Sequence, residues 1–265
     1  MEKELFAILL TLFAGLATGI GSLFAIIAKK TNTRFLAVSL GFSAGVMIYV
    51  SMIEIFQKAR ESLNSVVGEN NAAWLTVISF FGGILLIAII DKLIPSNENV
   101  KEIRRVEELR HSTPEKKLMR MGSVTALAIG IHNFPEGFAT FISGLQGASF
   151  AIPIAFAIAI HNIPEGIAVS VPIYHATGKR KKAFLYSLLS GLTEPLGALI
   201  GYIFLRRFLN DMIFGIVFAS VAGIMIFISL NELLPAAMEY GKHELSIYGL
   251  IGGMLFIALS LQIFI

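Results

Sequence analysis

Eight apolar runs, each about as long as a lipid bilayer is thick, constrain this chain more than any other feature. About 20 consecutive apolar residues are enough for one helical span. Such runs cover about Leu5–Ala28, Phe35–Phe56, Ala72–Ile94, Met121–Leu145, Phe150–Tyr174, Ala183–Leu205, Met212–Ala237 and Leu245–Ile265. They use up nearly all of the 265 residues, of which only 15% are charged. An average soluble domain carries about 25%. The expectation is one all-α integral membrane domain over residues 1–265, with eight transmembrane helices. The first run follows Met-Glu-Lys-Glu-Leu, without a basic leader or a small-residue cleavage site, and reads as a retained helix.

The chain has no cysteine, so neither disulfides nor thiolate metal ligands are available. Its net charge of +3 comes from basic residues in short segments flanking the apolar runs, which argues against a nucleic-acid partner. The longest polar segment, about residues 95–120, carries both charge signs. Of the 21 Lys and Arg residues, 16 fall in the connections after spans 1, 3, 5 and 7, counting Lys92 at the end of span 3. The positive-inside rule then puts the 95–120 loop in the cytoplasm and both termini outside.

Two polar islands interrupt the apolar pattern. Residues 132–137 read His-Asn-Phe-Pro-Glu-Gly and residues 161–166 read His-Asn-Ile-Pro-Glu-Gly. Ionisable residues at membrane depth are expensive and mark functional sites. In each copy the histidine and the glutamate stand four residues apart, on one helix face. Spans 4 and 5 packed along these faces would join His132, Glu136, His161 and Glu165. Two imidazoles and two carboxylates suit a borderline divalent ion such as zinc, iron(II) or manganese. Such an ion would also relieve the repulsion between the two carboxylates.

Further residues extend the set. Asn133 and Asn162 lie one step around their helices from the histidines. Glu194, within Ser-Gly-Leu-Thr-Glu-Pro-Leu-Gly of span 6, is a third carboxylate at depth. These could form a second ion site that shares Glu136 and Glu165. Met47 is a candidate soft ligand, on a stripe with Ser51 and Glu54 at i, i+4 and i+7. Pro135 and Pro164 deprive the carbonyls of Ile131 and Ile160 of a helical partner, and are expected to break both helices where the site opens. Gly137 and Gly166 would allow close packing below the glutamates.

Residues 44–54, AGVMIYVSMIE, match 222–232, AGIMIFISLNE, at six of eleven positions. Spans 2 and 7 run in opposite directions in the eight-span topology. The match therefore implies that spans 1–3 and 6–8 are an inverted repeat around spans 4 and 5, an arrangement common in transporters.

The two HNxPEG copies on consecutive spans resemble the signature of the ZIP (Zrt-, Irt-like) divalent-metal transporters. The SGLTEPLGA and SLNELLPAA segments are similar to those of its bacterial ZupT-like branch. The resemblance covers essentially the whole chain. It implies uptake of zinc, and of iron, manganese, cobalt or cadmium, across the cytoplasmic membrane by an elevator-like or rocking motion. It implies a two-metal site, with His132, Glu136, His161, Glu165 and Met47 on one ion and Asn133, Asn162 and Glu194 on the other. The long loop holds only His111 where family members carry a histidine run, and Asn162 stands where some relatives carry an aspartate. The partners implied are the transported ions and the lipid bilayer, with no resident cofactor. Whether the chain works alone or as a homodimer is left open.

The rival class is a membrane enzyme. A metallohydrolase would carry His-Glu-x-x-His, which is absent. A di-metal carboxylate oxidase would use Glu-x-x-His, with the opposite order and a spacing of three. A metal-sensing structural protein would need an output domain, for which no length remains.

Overall fold

The computed structural model describes residues 2–27, 33–93, 114–205, 210–241 and 243–263, and these contain helices and no strand. In chain order they are α1 (Glu2–Ile27), α2 (Thr33–Tyr49), a π-helical turn (Val50–Ile55), α3 (Phe56–Val67), α4 (Glu69–Leu93), α5 (Pro114–Gln146) and α6 (Ala148–Thr177). There follow α7 (Arg180–Gly191), α8 (Thr193–Leu205), α9 (Asp211–Ile228), a second π-helical turn (Ser229–Leu233), α10 (Leu234–Tyr240) and α11 (His243–Ile263). Seven helical stretches among the described residues are long and apolar enough to cross a membrane. They are Glu2–Leu23, Arg34–Val67, Glu69–Lys92, Ala148–Thr177, Arg180–Phe204, Asp211–Glu239 and His243–Gln262. α5 has the length, at 33 residues, and is not among them.

The helix boundaries depart from the apolar runs in three places. The second helix does not stop near Phe56 but continues through the π turn and α3 to Val67. Lys58, Arg60 and Glu61 make this stretch look like a loop. Ala59 and Leu63, four residues apart, are nevertheless fully buried, and Gly215 of α9 packs against them. The sixth run is interrupted at Leu192, just before Glu194. Third, α5 and α6 are not broken at the motif prolines: each continues as helix through Pro135 and Pro164. Proline within a membrane helix is tolerated where neighbouring helices and hydroxyl side chains take up the freed backbone groups. Most of the 95–120 segment, including His111, lies outside the described residues.

α6 is the centre of the assembly. Of its most apolar window 78% is buried, against 28% for α4 and for α11. It packs on α1, α2, α5 and α7. α5 in turn packs on α1, α7, α8 and α9. The outer helices pair as α2 with α11 and α4 with α9. Glycines set the closeness of both outer pairs. A Cβ on Gly45 of α2 would meet the Leu250 carbonyl of α11, and one on Gly223 of α9 would meet the Phe80 carbonyl of α4. The turn between α5 and α6 is made by Gly147, whose φ of 130° disfavours a side chain.

Candidate metal site

The twin motifs meet at the α5–α6 crossing, and they meet crosswise. His132 Nε2 of α5 lies 3.3 Å from Glu165 Oε1 of α6, and His161 Nε2 of α6 lies 3.3 Å from Glu136 Oε2 of α5. Each histidine thus faces the glutamate of the other copy. All four side chains are buried, with at most 1% exposure. His161 Nδ1 is 3.1 Å from the Ala157 carbonyl, which fixes its ring on its own helix.

The asparagines point to neighbouring helices. Asn133 Nδ2 donates to the Ser190 carbonyl of α7 at 3.1 Å. Asn162 Nδ2 donates to the Ala14 carbonyl of α1 at 3.0 Å and also to the Glu194 carboxylate of α8. Glu194 therefore joins the site through Asn162. It too is fully buried. The glycines that follow the motif glutamates make this approach possible. A Cβ on Gly137 would collide with the backbone of Glu194, and one on Gly166 with the carbonyl of Thr18.

Not all of these polar atoms find a partner. Asn133 Oδ1, Glu136 Oε1, Asn162 Oδ1, Glu165 Oε2 and Glu194 Oε2 are buried without a hydrogen bond, as are both ring nitrogens of His132. The approach of His132 to Glu165 is close but falls short of hydrogen-bond geometry. Buried polar groups are normally satisfied, and a cluster that is not marks a place where something else binds. Every unpartnered oxygen here is an acceptor, open to a cation as well as to a hydrogen-bond donor. Among the described residues, no group of three or more His, Asp or Glu side chains already surrounds one ion position. The side chains are paired off with one another instead.

Met47 is fully buried in the apolar core, and its carbonyl accepts the Ser51 hydroxyl at 2.6 Å. Ser51 and Glu54 fall within the π turn, so the predicted i, i+4, i+7 stripe is not a straight one: five residues per bond shift its phase. Ser51 is buried and Glu54 half-buried. Ser43 is a contributor that the motif reading missed. Its hydroxyl lies 3.1 Å from the His161 carbonyl and 3.5 Å from Glu165 Oε1. The signal was available, since Ser43 stands one turn before Met47 on the same face of α2.

Comparison with known proteins agrees with the motifs. The sequence model of the family described as "ZIP Zinc transporter" matches residues 95–261. The chain is 66% identical to the zinc transporter ZupT of Streptococcus mutans serotype c, over 100% of both chains. It is 62% identical to the zinc transporter ZupT of Clostridium perfringens strain 13, over 100% of this chain and 98% of that one. The chain belongs to the ZIP family. Within it the chain is a ZupT-like member, 60% identical also to the zinc transporter ZupT of Oceanobacillus iheyensis over 98% of each. It is thus a multi-pass membrane protein of a transporter family, not of an enzyme family.

Proposed function

We propose that this ZIP-family chain takes up zinc, and with it iron(II), manganese, cobalt or cadmium, across the cytoplasmic membrane through a two-metal site at the α5–α6–α8 junction. The observation that carries this reading is the crossed pairing of His132 with Glu165 and of His161 with Glu136, surrounded by unpartnered acceptor oxygens. A divalent ion entering between the pairs would replace two separate His–Glu contacts by shared coordination. Met47 would add a soft ligand from α2. A second ion would be held by Asn133, Asn162 and Glu194, with Glu136 and Glu165 bridging the two. All the ligands are nitrogen, oxygen or thioether sulfur, a set that several first-row ions tolerate.

In this reading α5 also spans the membrane, as the fourth span in chain order, and brings the seven to eight. His-Asn-Phe-Pro-Glu lowers its hydropathy as His-Asn-Ile-Pro-Glu lowers that of α6, and the rest of α5 is less apolar than the rest of α6. Spans 1–3 and 6–8 form an inverted repeat around α5 and α6. Three observations support the repeat beyond the matched letters. Both π turns fall at the same place in it, around Ser51 and Ser229, whose hydroxyls donate to the carbonyls of Met47 and Met225. The pairing of α2 with α11 mirrors that of α9 with α4. Gly45 against Leu250 likewise mirrors Gly223 against Phe80. With both termini outside and the 95–120 segment in the cytoplasm, the repeat would move around a site near mid-membrane.

The test is metal uptake into sealed proteoliposomes. The wild type takes zinc up into an ion-free lumen, and Glu136→Ala does not. A wild type that fails to accumulate zinc, or a mutant that transports as well, overturns the reading.

A further inference from the structure

α1 carries no residue of the twin motif, yet its Thr18 side chain is fully buried and its hydroxyl has no hydrogen-bond partner. This is unusual among the buried hydroxyls of the bundle. Thr11, Ser51, Thr140 and Ser170 each donate to the carbonyl one turn earlier on their own helix. For Thr18 that carbonyl belongs to Ala14, which accepts the amide of Asn162 instead. A buried hydroxyl left in this state costs free energy and calls for an explanation.

Its position supplies one. The backbone of Thr18 lies against Gly166, the residue after Glu165, and its Oγ1 lies 2.8 Å from where a Cβ on Gly191 would sit. Gly191 follows Ser190, whose carbonyl holds Asn133. The surroundings of Thr18 also repeat those of Glu194. Ala14, which holds Asn162, stands four residues before Thr18; Ser190, which holds Asn133, stands four before Glu194. Gly166 packs on the Thr18 backbone as Gly137 packs on that of Glu194. Gly15 and Gly191 meet between them, each against the carbonyl of the other. By this correspondence Thr18 holds on α1 the place that Glu194 holds on α8, with a hydroxyl where α8 has a carboxylate.

Resting on the transport reading above, we propose that Thr18 Oγ1 is an oxygen ligand for the cation at the asparagine-lined subsite, opposite Glu194. A hydroxyl there completes the coordination without adding charge, so that subsite carries one carboxylate of its own rather than two. The ion held is then bound loosely enough to leave.

The experiment is calorimetric zinc titration of the full-length protein in detergent, for the wild type, Thr18→Val, Thr18→Ala, Thr18→Ser and Glu136→Gln, with metal-free melting of each. Thr18→Val and Thr18→Ala are expected to weaken the lower-affinity zinc event about tenfold, the scale seen when one group supporting a metal is removed. Thr18→Ser is expected to restore it. The metal-free melting temperature of Thr18→Val should not fall, because only an unpartnered hydroxyl is lost. If Thr18→Val and Thr18→Ala both bind zinc as the wild type does while Glu136→Gln does not, the Thr18 assignment is wrong and the transport site stands. If Glu136→Gln also binds as the wild type does, the site itself is wrong.

Discussion

Asn162 donates its side-chain amide to the carboxylate of Glu194, and the same nitrogen donates to the Ala14 carbonyl at 3.0 Å. One residue of α6 thereby holds α1 and α8 in register at the site. Replacing Asn162 by Asp removes the donor and sets two acids face to face. Metal-free protein should then lose roughly 1–3 kcal/mol, the usual penalty for leaving a buried partner unsatisfied. Zinc should recover it, because a dication neutralises the added charge. The zinc-induced rise in melting temperature is therefore expected to be larger in Asn162→Asp than in the wild type, from a lower metal-free starting point. An equal rise in both would show that Asn162 does not face the ion.

The crossed pairs lead to a second expectation. Because His161 faces Glu136 and His132 faces Glu165, a change in one motif copy strands a residue of the other. Removing one member of a buried charged pair costs about 3–5 kcal/mol. Each glutamate is also a proposed ligand, and a ligand worth about 3 kcal/mol to the bound ion is worth roughly a hundredfold in affinity. Glu136→Gln and Glu165→Gln should each reduce zinc uptake by about this factor at subsaturating zinc. The double mutant should be little worse than either single one, since both act on one site. Initial rates of zinc uptake in proteoliposomes check this, and a multiplicative loss in the double mutant would point to two independent sites.

The sequence made the site more legible than the scaffold around it. His132, Glu136, His161 and Glu165 stand out because four polar residues at regular spacing have no cheap reason to lie in an apolar run. Their convergence follows from packing two like faces. The crossing of the pairs does not, since spacing along one helix says nothing of which neighbour a side chain meets. The π turns were hidden for a related reason: the stripe of Met47, Ser51 and Glu54 assumes 3.6 residues per turn throughout. The continuity of α5 and α6 through Pro135 and Pro164 was hidden because the loss of one helical hydrogen bond can be taken up by neighbours that only the assembled bundle supplies. α3 was hidden because Lys58, Arg60 and Glu61 dominate a stretch held by just two buried residues, Ala59 and Leu63.

Met47 and Met225 occupy matching positions in the proposed repeat, and both are fully buried. If Met47 contributes sulfur to the ion, Met47→Leu should lower uptake of cadmium, a soft ion, more than uptake of manganese, a hard one. Leucine keeps the volume, so the stability change should stay below about 1.5 kcal/mol. Met225→Leu makes the same change in volume without removing a proposed ligand. It should leave the cadmium-to-manganese ratio of uptake rates as in the wild type. A shifted ratio in Met225→Leu alone would transfer the ligand role to that side of the bundle.

The absence of cysteine makes topology directly accessible, because a single introduced thiol has no background. Asn64, in the last turn of the second helical stretch, and Lys179, in the connection after the fifth span, are both exposed. Asn64→Cys in intact cells should react with a membrane-impermeant maleimide. Lys179→Cys should react only after the membrane is opened. The reverse pattern would put the termini inside and invert the direction assigned to uptake.

Paired glycines test the outer packing with their own internal control. In α4, Gly82 has open space where a Cβ would go, whereas one on Gly83 would collide with the Ser220 carbonyl of α9. In α11, Gly252 is open and Gly253 would collide with the Phe42 carbonyl of α2. An alanine at an open helical position removes backbone freedom from the unfolded chain and stabilises by up to about 1 kcal/mol. An alanine driven against a carbonyl must move a helix, at a cost of about 1–3 kcal/mol. Gly82→Ala and Gly252→Ala are therefore expected to raise the melting temperature or leave it unchanged, and Gly83→Ala and Gly253→Ala to lower it. The comparison is between adjacent residues of one helix, so lipid, detergent and helix propensity are held constant. It separates the α4–α9 and α2–α11 contacts from everything else in the bundle. If Gly83→Ala lowers stability and Gly253→Ala does not, the two outer pairs are not equivalent, and the inverted repeat does not extend to spans 3 and 8.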